Sequence, residues 1–297
     1  MKSEKVLVLG ATGFLGGYFQ NALGNLGVSH TSGSTNSAKK NSYEYISASL
    51  ETETDVEKLL ANTKVSKVIN CVALSNIDEC EENPTTAKWL NSDLPRVLSN
   101  ICKIKGLQFI HISTDAVFSG LNPFAQEISS PDPKSIYGRT KLQGELAVIE
   151  ENPDSLVCRV NFVGWNPRGK SLFNFFYSNL RANREVTGFR DIFFTPMYAA
   201  DTVESILELA DKNASGTFHI VGDERISKLQ FGQLVAKELK LDISLIQEGS
   251  YKDSPFSSTR TPDLSLSNVK IKSMGVKTPS LSSGIQKLVK EAERINA

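Results

Sequence analysis

Apolar residues come in short blocks that alternate between two periods. Val6 to Leu9 is an unbroken apolar run, short enough for a strand buried on both faces. Phe14, Leu15, Tyr18, Phe19, Ala22, Leu23 and Leu26 then recur at spacings of three and four, the stripe of a helix ended near Gly24 and Gly27. The alternation continues with strands predicted near 28–32 and 43–46, separated by a polar loop at 33–42, then a helix over 56–60 and a buried strand over 65–72. A helix over 89–105, a strand over 108–112, a helix over 135–151 and a strand over 156–162 follow. A helix after each strand supplies the right-handed crossover that parallel pairing requires, so the expected fold is α/β with a doubly wound parallel sheet. After Gly164 the pattern loosens. An aromatic helix is predicted at 173–180, a helix at 201–210, a strand at 217–221, a helix at 228–239, a weak strand at 243–246 and a final helix at 282–295.

The turn from the first strand into the first helix reads Gly10-Ala11-Thr12-Gly13-Phe14-Leu15-Gly16. Glycines keep such a backbone bare enough for a pyrophosphate to approach, and the N–H groups of the first helical turn favour an anion. Gly-x-x-Gly-x-x-Gly is a variant of the dinucleotide fingerprint, so a Rossmann-type domain is expected over 1–163, rejoined by 198–222. Gly10, Thr12, Gly13, Phe14, Leu15 and Gly16 are then the residues at the cofactor. A smaller, interleaved C-terminal substrate lobe is expected from 164–197 and 223–297. An NAD-selective site commonly has an acid about 20 residues past the glycines. Between Val28 and Ser42 there is none; Ser32, Ser34, Lys39 and Lys40 stand there instead, which favours NADP(H) and leaves NAD(H) open.

Lys and Arg total 33, as do Asp and Glu, so no net field draws the chain to nucleic acid or to an anionic membrane. Four cysteines without a Cys-x-x-Cys pair, beside three histidines, suggest neither a disulfide framework nor a metal site, and no metal is expected. The first strand leaves no room for a signal peptide before it, and no apolar run nears the ~20 residues of a membrane span, so a cytoplasmic location is expected.

Two segments carry candidate chemistry. His111-Ile112-Ser113-Thr114-Asp115 lies where a buried strand ends, the edge at which open parallel sheets bind ligands. In Tyr137-Gly138-Arg139-Thr140-Lys141, Tyr137 and Lys141 are four apart on a helix, so their side chains share a face. A cation beside a phenol, whose free pKa is about 10, draws it towards useful acid–base range. A hydroxyl from Ser113 or Thr114 would hold the same substrate oxygen. His111 reads as a satisfied core histidine, and Asp78 to Glu82 as a solvated loop and helix start.

The ordered set of glycine turn, Ser-Thr and Tyr-x-x-x-Lys resembles the short-chain dehydrogenase/reductase superfamily, of the extended kind with a C-terminal substrate lobe. Ser113-Thr114-Asp115-Ala116-Val117-Phe118-Ser119-Gly120 is similar to the corresponding motif of the dTDP-4-dehydrorhamnose reductases, and matches run through Phe194-Thr195-Pro196 to Lys272–Pro279. Ala116 stands where related dehydratases have Glu, which disfavours dehydration. The resemblance implies that Thr114 polarises a substrate carbonyl, Tyr137 donates the proton, and Lys141 tunes Tyr137 and holds the nicotinamide ribose. It places Ala73 and Leu74 beside the cofactor, with Asn91 either a further member or a cap. Asp115, Val117, Phe118, Asn161 and Arg260 are assigned to a nucleotide-sugar substrate, Arg260 because a guanidinium pairs with phosphate in bidentate fashion; Asp115 serves equally as a loop cap. The implied activity is NAD(P)H-dependent reduction of the 4-keto group of a nucleotide-linked 6-deoxy sugar. The alternatives are an epimerase that retains NAD and a non-catalytic dinucleotide-binding regulatory homologue. Oligomeric state stays open, a homodimer among the options.

Overall fold

A computed structural model describes residues 5–25, 29–34, 44–253 and 261–296. Its central sheet has seven strands in the order β11-β6-β5-β4-β1-β2-β3. These are β1 (Lys5–Leu9), β2 (Ser29–Ser34), β3 (Glu44–Ser47), β4 (Lys67–Asn70), β5 (Gln108–Thr114), β6 (Leu156–Val160) and β11 (Gly216–Ile220). β1 pairs parallel with both β2 and β4, β2 with β3, and β4 with β5. The crossovers carry α1 (Phe14–Asn25), α2 (Glu53–Asn62), α3 (Ile77–Glu82), α4 (Pro84–Lys88), α5 (Leu94–Lys105) and α6 (Ile136–Glu151). The apolar runs bury fully because strand residues alternate between faces that both carry helices: Leu7, Leu9, Val68, Phe109 and Val157 share one core with Val56, Leu60, Leu94 and Leu98.

The chain divides into two compact units, 1–117 with 135–159 and 206–218, and 118–134 with 160–205 and 219–297. The remaining elements are β7 (Phe162–Val163), α7 (Leu172–Arg181), β8 (Val186–Phe189), β9 (Phe193–Phe194), β10 (Met197–Tyr198), α8 (Ala199–Asp211), β12 (Ile226–Ser227), α9 (Lys228–Leu239), β13 (Ile246–Gly249), α10 (Val269–Ser273) and α11 (Leu281–Asn296). In the second unit an aromatic cluster of Phe176, Phe194 and Phe231 forms the core, and Gly232 lets the Phe176 ring pack where a side chain would collide.

Three local details sharpen or correct expectations. The acidic run at 78–82 is a solvated helix start, as expected: Asp78, Glu79, Glu81 and Glu82 are exposed on α3, which Asn76 caps, and only Cys80 is buried. The helix over 89–105 is not uniform, since residues 89–93 form a π turn closed by the Leu94 N–H to the Trp89 carbonyl. Pro95 explains it, because it has no N–H to give the carbonyl of Asn91 four residues back. The weak strand starts later, at Ile246, because the Asp242 carboxylate accepts from the Ser244 N–H and winds 243–245 into a 3₁₀ turn.

Candidate active site

β1 ends at Leu9 and α1 starts at Phe14, with a turn between them closed by the Gly13 N–H to the Gly10 carbonyl at 2.8 Å. Gly10 has φ +77°, a left-handed backbone that favours glycine. At Gly16 a Cβ would overlap the Gly10 carbonyl oxygen and sit 2.8 Å from Ala11 Cα, so only hydrogen fits. Thr12 and Gly13 are exposed at the mouth of the turn, Phe14 is half-buried, and Leu15 points into the core. A bare, exposed turn leading into the N-terminus of a 12-residue helix fits a pyrophosphate. Ser32 and Ser34 lie at the end of β2, with Gly33 in register beside Leu9. Lys39, Lys40 and Arg260 lie outside the described residues.

The parallel register aligns Leu9 with Asn70 and Asn70 with His111 along one row. Val68 and Phe109 lie two residues earlier on the same face, so this row is the polar end of an apolar layer. Asn70 and His111 are fully buried, with Asn70 Nδ2 at 3.2 Å from His111 Nδ1. Lys141 comes from α6, is 1% exposed, donates to the Ile112 carbonyl at 2.6 Å and lies 3.2 Å from His111 Nε2. Burial holds its ammonium down at about 8, against the Glu145 charge that favours protonation. Burial likewise keeps the His111 imidazole neutral, well below its usual range.

Tyr137 lies one turn earlier on α6, capped at its start by Ser135 accepting from the Gly138 N–H. Its hydroxyl lies near the Thr114 side chain, which favours the phenolate. Thr114 donates in turn to Asp115 at 3.0 Å and accepts from the Ala116 N–H at 3.2 Å. The phenol is pushed up to about 12: burial outweighs the influence of Thr114, and the Asp115 charge acts in the same direction as burial. Lys141 is not among the groups that shift the phenol here: its nitrogen is bonded to the Ile112 carbonyl and lies beside His111 Nε2. At neutral pH Tyr137 is a phenol with a proton to give.

Two further attachments fix these side chains. Ser113 donates to Glu145, whose carboxylate takes Arg159 in bidentate fashion at 2.7 to 3.1 Å, so β5, α6 and β6 are tied together by a buried group. Asn91, in the π turn, accepts from the Leu74 N–H at 2.9 Å and donates to the Leu74 carbonyl at 3.0 Å and Thr140 Oγ1 at 3.1 Å. It is fully buried, a clamp on the loop carrying Ala73 and Leu74 and no helix cap. Gly144 makes the clamp fit, because a Cβ there would overlap the Asn91 carbonyl. Asn70, Glu145 and Arg159 went unnoticed in the sequence; Glu145 carried one signal, its place four residues beyond Lys141.

Asp115 and Val117 are buried in the first unit. Phe118 and Asn161 belong to the second, where Phe118 packs edge-on to His219 at 5.8 Å and the Asn161 carbonyl accepts from Met197. Among the described residues no group of three or more His, Cys, Asp or Glu side chains is placed to hold a metal, and no helix is long and apolar enough to cross a membrane. The four cysteines are free thiols.

A glycine turn at a helix start, together with a Thr-Tyr-Lys cluster beyond the strand ends of a parallel sheet, defines an oxidoreductase of the extended short-chain dehydrogenase/reductase type. The chain belongs to the RmlD substrate binding domain family, whose model matches residues 4–294. It is 36% identical over 246 residues, 80% of this chain and 81% of the relative, to the probable low-salt glycan biosynthesis reductase Agl14 of Haloferax volcanii. It is 30% identical over 207 residues, 68% of each chain, to the dTDP-4-dehydrorhamnose reductase of Mycobacterium tuberculosis. The methionine adenosyltransferase 2 subunit beta of Mus musculus is 29% identical over 294 residues, covering 93% of this chain and 85% of the relative.

Proposed function

We propose that this protein reduces the 4-keto group of a nucleotide-linked 6-deoxy sugar in the cytoplasm, using NADP(H) in preference to NAD(H). The observation that carries the reading is that the Tyr137 phenol, held protonated, and the Thr114 hydroxyl lie together beyond the end of β5, close enough to interact. Gly10, Thr12, Gly13 and Gly16 cradle the pyrophosphate, and Ala73 and Leu74 flank the nicotinamide half. The bound dinucleotide supplies the hydride. Thr114 holds the substrate carbonyl oxygen, Tyr137 gives it a proton as negative charge develops, and Lys141 supports the ribose. Ser32, Ser34 and Lys39, in the absence of an acid, favour a 2′-phosphate. The resemblance assigns Asp115, Val117, Phe118, Asn161 and Arg260 to the nucleotide sugar.

The test is turnover of 4-keto sugar nucleotides with each cofactor, for the wild type and for Tyr137→Phe. The variant keeps the ring and loses the proton, so dinucleotide affinity should hold while turnover falls about 10²- to 10⁴-fold. Near-wild-type turnover in the variant would remove Tyr137 as the proton donor. The alternative of a non-catalytic dinucleotide-binding regulatory homologue is not favoured by the similarities. Dinucleotide binding without oxidation of NADPH or NADH by any 4-keto sugar nucleotide would select it.

A further inference from the structure

Donor and acceptor counting fixes which nitrogen of the buried His111 ring carries hydrogen. The Val72 N–H donates to Asn70 Oδ1 at 3.1 Å, which turns the amide nitrogen Nδ2 towards His111 Nδ1 at 3.2 Å. An amide nitrogen only donates, so Nδ1 accepts, and a neutral imidazole with a bare Nδ1 has its single hydrogen on Nε2. That hydrogen faces Lys141 Nζ at 3.2 Å. An ammonium has three hydrogens and no lone pair, so it cannot accept; an amine can, and still has a hydrogen for the Ile112 carbonyl at 2.6 Å. The sequence of bonds from Val72 through Asn70, His111 and Lys141 to Ile112 closes without a conflict only when Lys141 is uncharged.

We propose that Asn70 and His111 are positioning residues that hold Lys141 as a neutral amine in the free protein at alkaline pH, and that Lys141 then takes up one proton when an anionic dinucleotide seats beside it. The second half rests on the dinucleotide reading above; the first does not. Burial supplies the drive, since Asn70, His111 and Lys141 are all sealed from solvent. The groups facing Lys141 act the other way: Glu145 on its own helix, itself held by Arg159, and Cys71 just past β4 both favour the charge. Tyr137, a turn earlier, is uncharged. The proton arrives from solvent on the Nζ lone pair. The resulting ammonium can no longer accept from His111, so its N–H groups are released for the oxygens of the ligand.

Long-range ¹H–¹⁵N spectra of the free full-length protein at about pH 9 read the His111 tautomer directly. The chain has only three histidines, so substituting His30 and His219 assigns the signals. Protonated Nε2 with bare Nδ1 is the expected result; protonated Nδ1 would overturn the proposal. In Asn70→Asp the carboxylate accepts where the amide donated, which should reverse the tautomer and hand a bare Nε2 to a Lys141 ammonium. Calorimetric titration with NADP and NAD at the same pH of about 9, in two buffers of different ionisation enthalpy, then counts protons. Close to one should be taken up by the wild type and close to none by Asn70→Asp; no uptake by the wild type overturns the second half. If neither dinucleotide binds, the functional reading fails, and the wild-type tautomer alone decides the state of Lys141. That spectrum also decides it if Asn70→Asp does not fold.

Discussion

A single hydrogen atom at Gly16 lets the first turn of α1 lie against the Gly10 carbonyl. A methyl group there meets backbone on both sides, Gly10 and Ala11, which no rotamer can relieve. Gly16→Ala should therefore displace the turn, cost about 1 to 3 kcal/mol of stability by overpacking, and abolish dinucleotide binding. The next residue supplies its own control. Gly17 lies inside α1 with nothing within 4 Å of the point a methyl group would occupy, so Gly17→Ala should gain about 0.5 to 1 kcal/mol through the unfolded chain and leave binding intact. Urea midpoints and calorimetric titration of the two variants separate the effects; wild-type affinity in Gly16→Ala would show that the turn does not cradle the ligand.

At the scale of elements, α6 does most to build the site, because Tyr137, Lys141 and Glu145 follow one another at spacings of four on one face. Glu145 ties that helix to β5 through Ser113 and to β6 through Arg159, all buried. Glu145→Ala takes its bidentate carboxylate from a buried guanidinium and should cost about 3 to 5 kcal/mol, whereas adding Arg159→Met should restore part of the loss because the buried charge goes too. Chemical denaturation measures both; a loss below about 1 kcal/mol in the single variant would mean that water or other groups satisfy Arg159 without Glu145. The unbroken run Val6–Leu9 and the Tyr137–Lys141 spacing were legible in the sequence because local periodicity encodes them. α3 was legible only as a helix start, because it is acidic around most of its circumference and only Cys80 is buried. The partner of Lys141 was not legible, since helical spacing puts it near Tyr137 but is silent on the Ile112 carbonyl. The Asn70–His111 contact arises from the register of β4 on β5, 41 residues apart in the chain, which no local pattern records.

Across the whole molecule, balanced surface charge conceals buried groups that titrate against folding. Burial raises the Cys71 and Cys102 thiols to about 12 and Cys80 to about 11, so the stability they contribute is complete below the unfolded thiol pKa of 9.0 and is lost as pH rises through 11 to 12. Lys141 has the opposite sign. Its pKa falls from 10.5 to about 8 on folding, so between those values the unfolded chain binds the extra proton and stability rises with pH; below 8 the folded state carries the full cost of a buried cation. A shift of that size corresponds to about 3 kcal/mol. Lys141→Met removes the titration while filling similar space. The lost bond to Ile112 gives the variant a constant offset, but the cysteines contribute equally to both proteins and cancel. The stability difference between Lys141→Met and wild type should therefore favour the variant by about 3 kcal/mol more at pH 7 than at pH 10.5. The chain has two tryptophans, and Trp89 lies in the same compact unit as Lys141, so urea unfolding followed by fluorescence in a Trp165→Phe background reads the relevant transition. A difference that stays flat across that range would mean that Lys141 titrates as an ordinary solvated lysine.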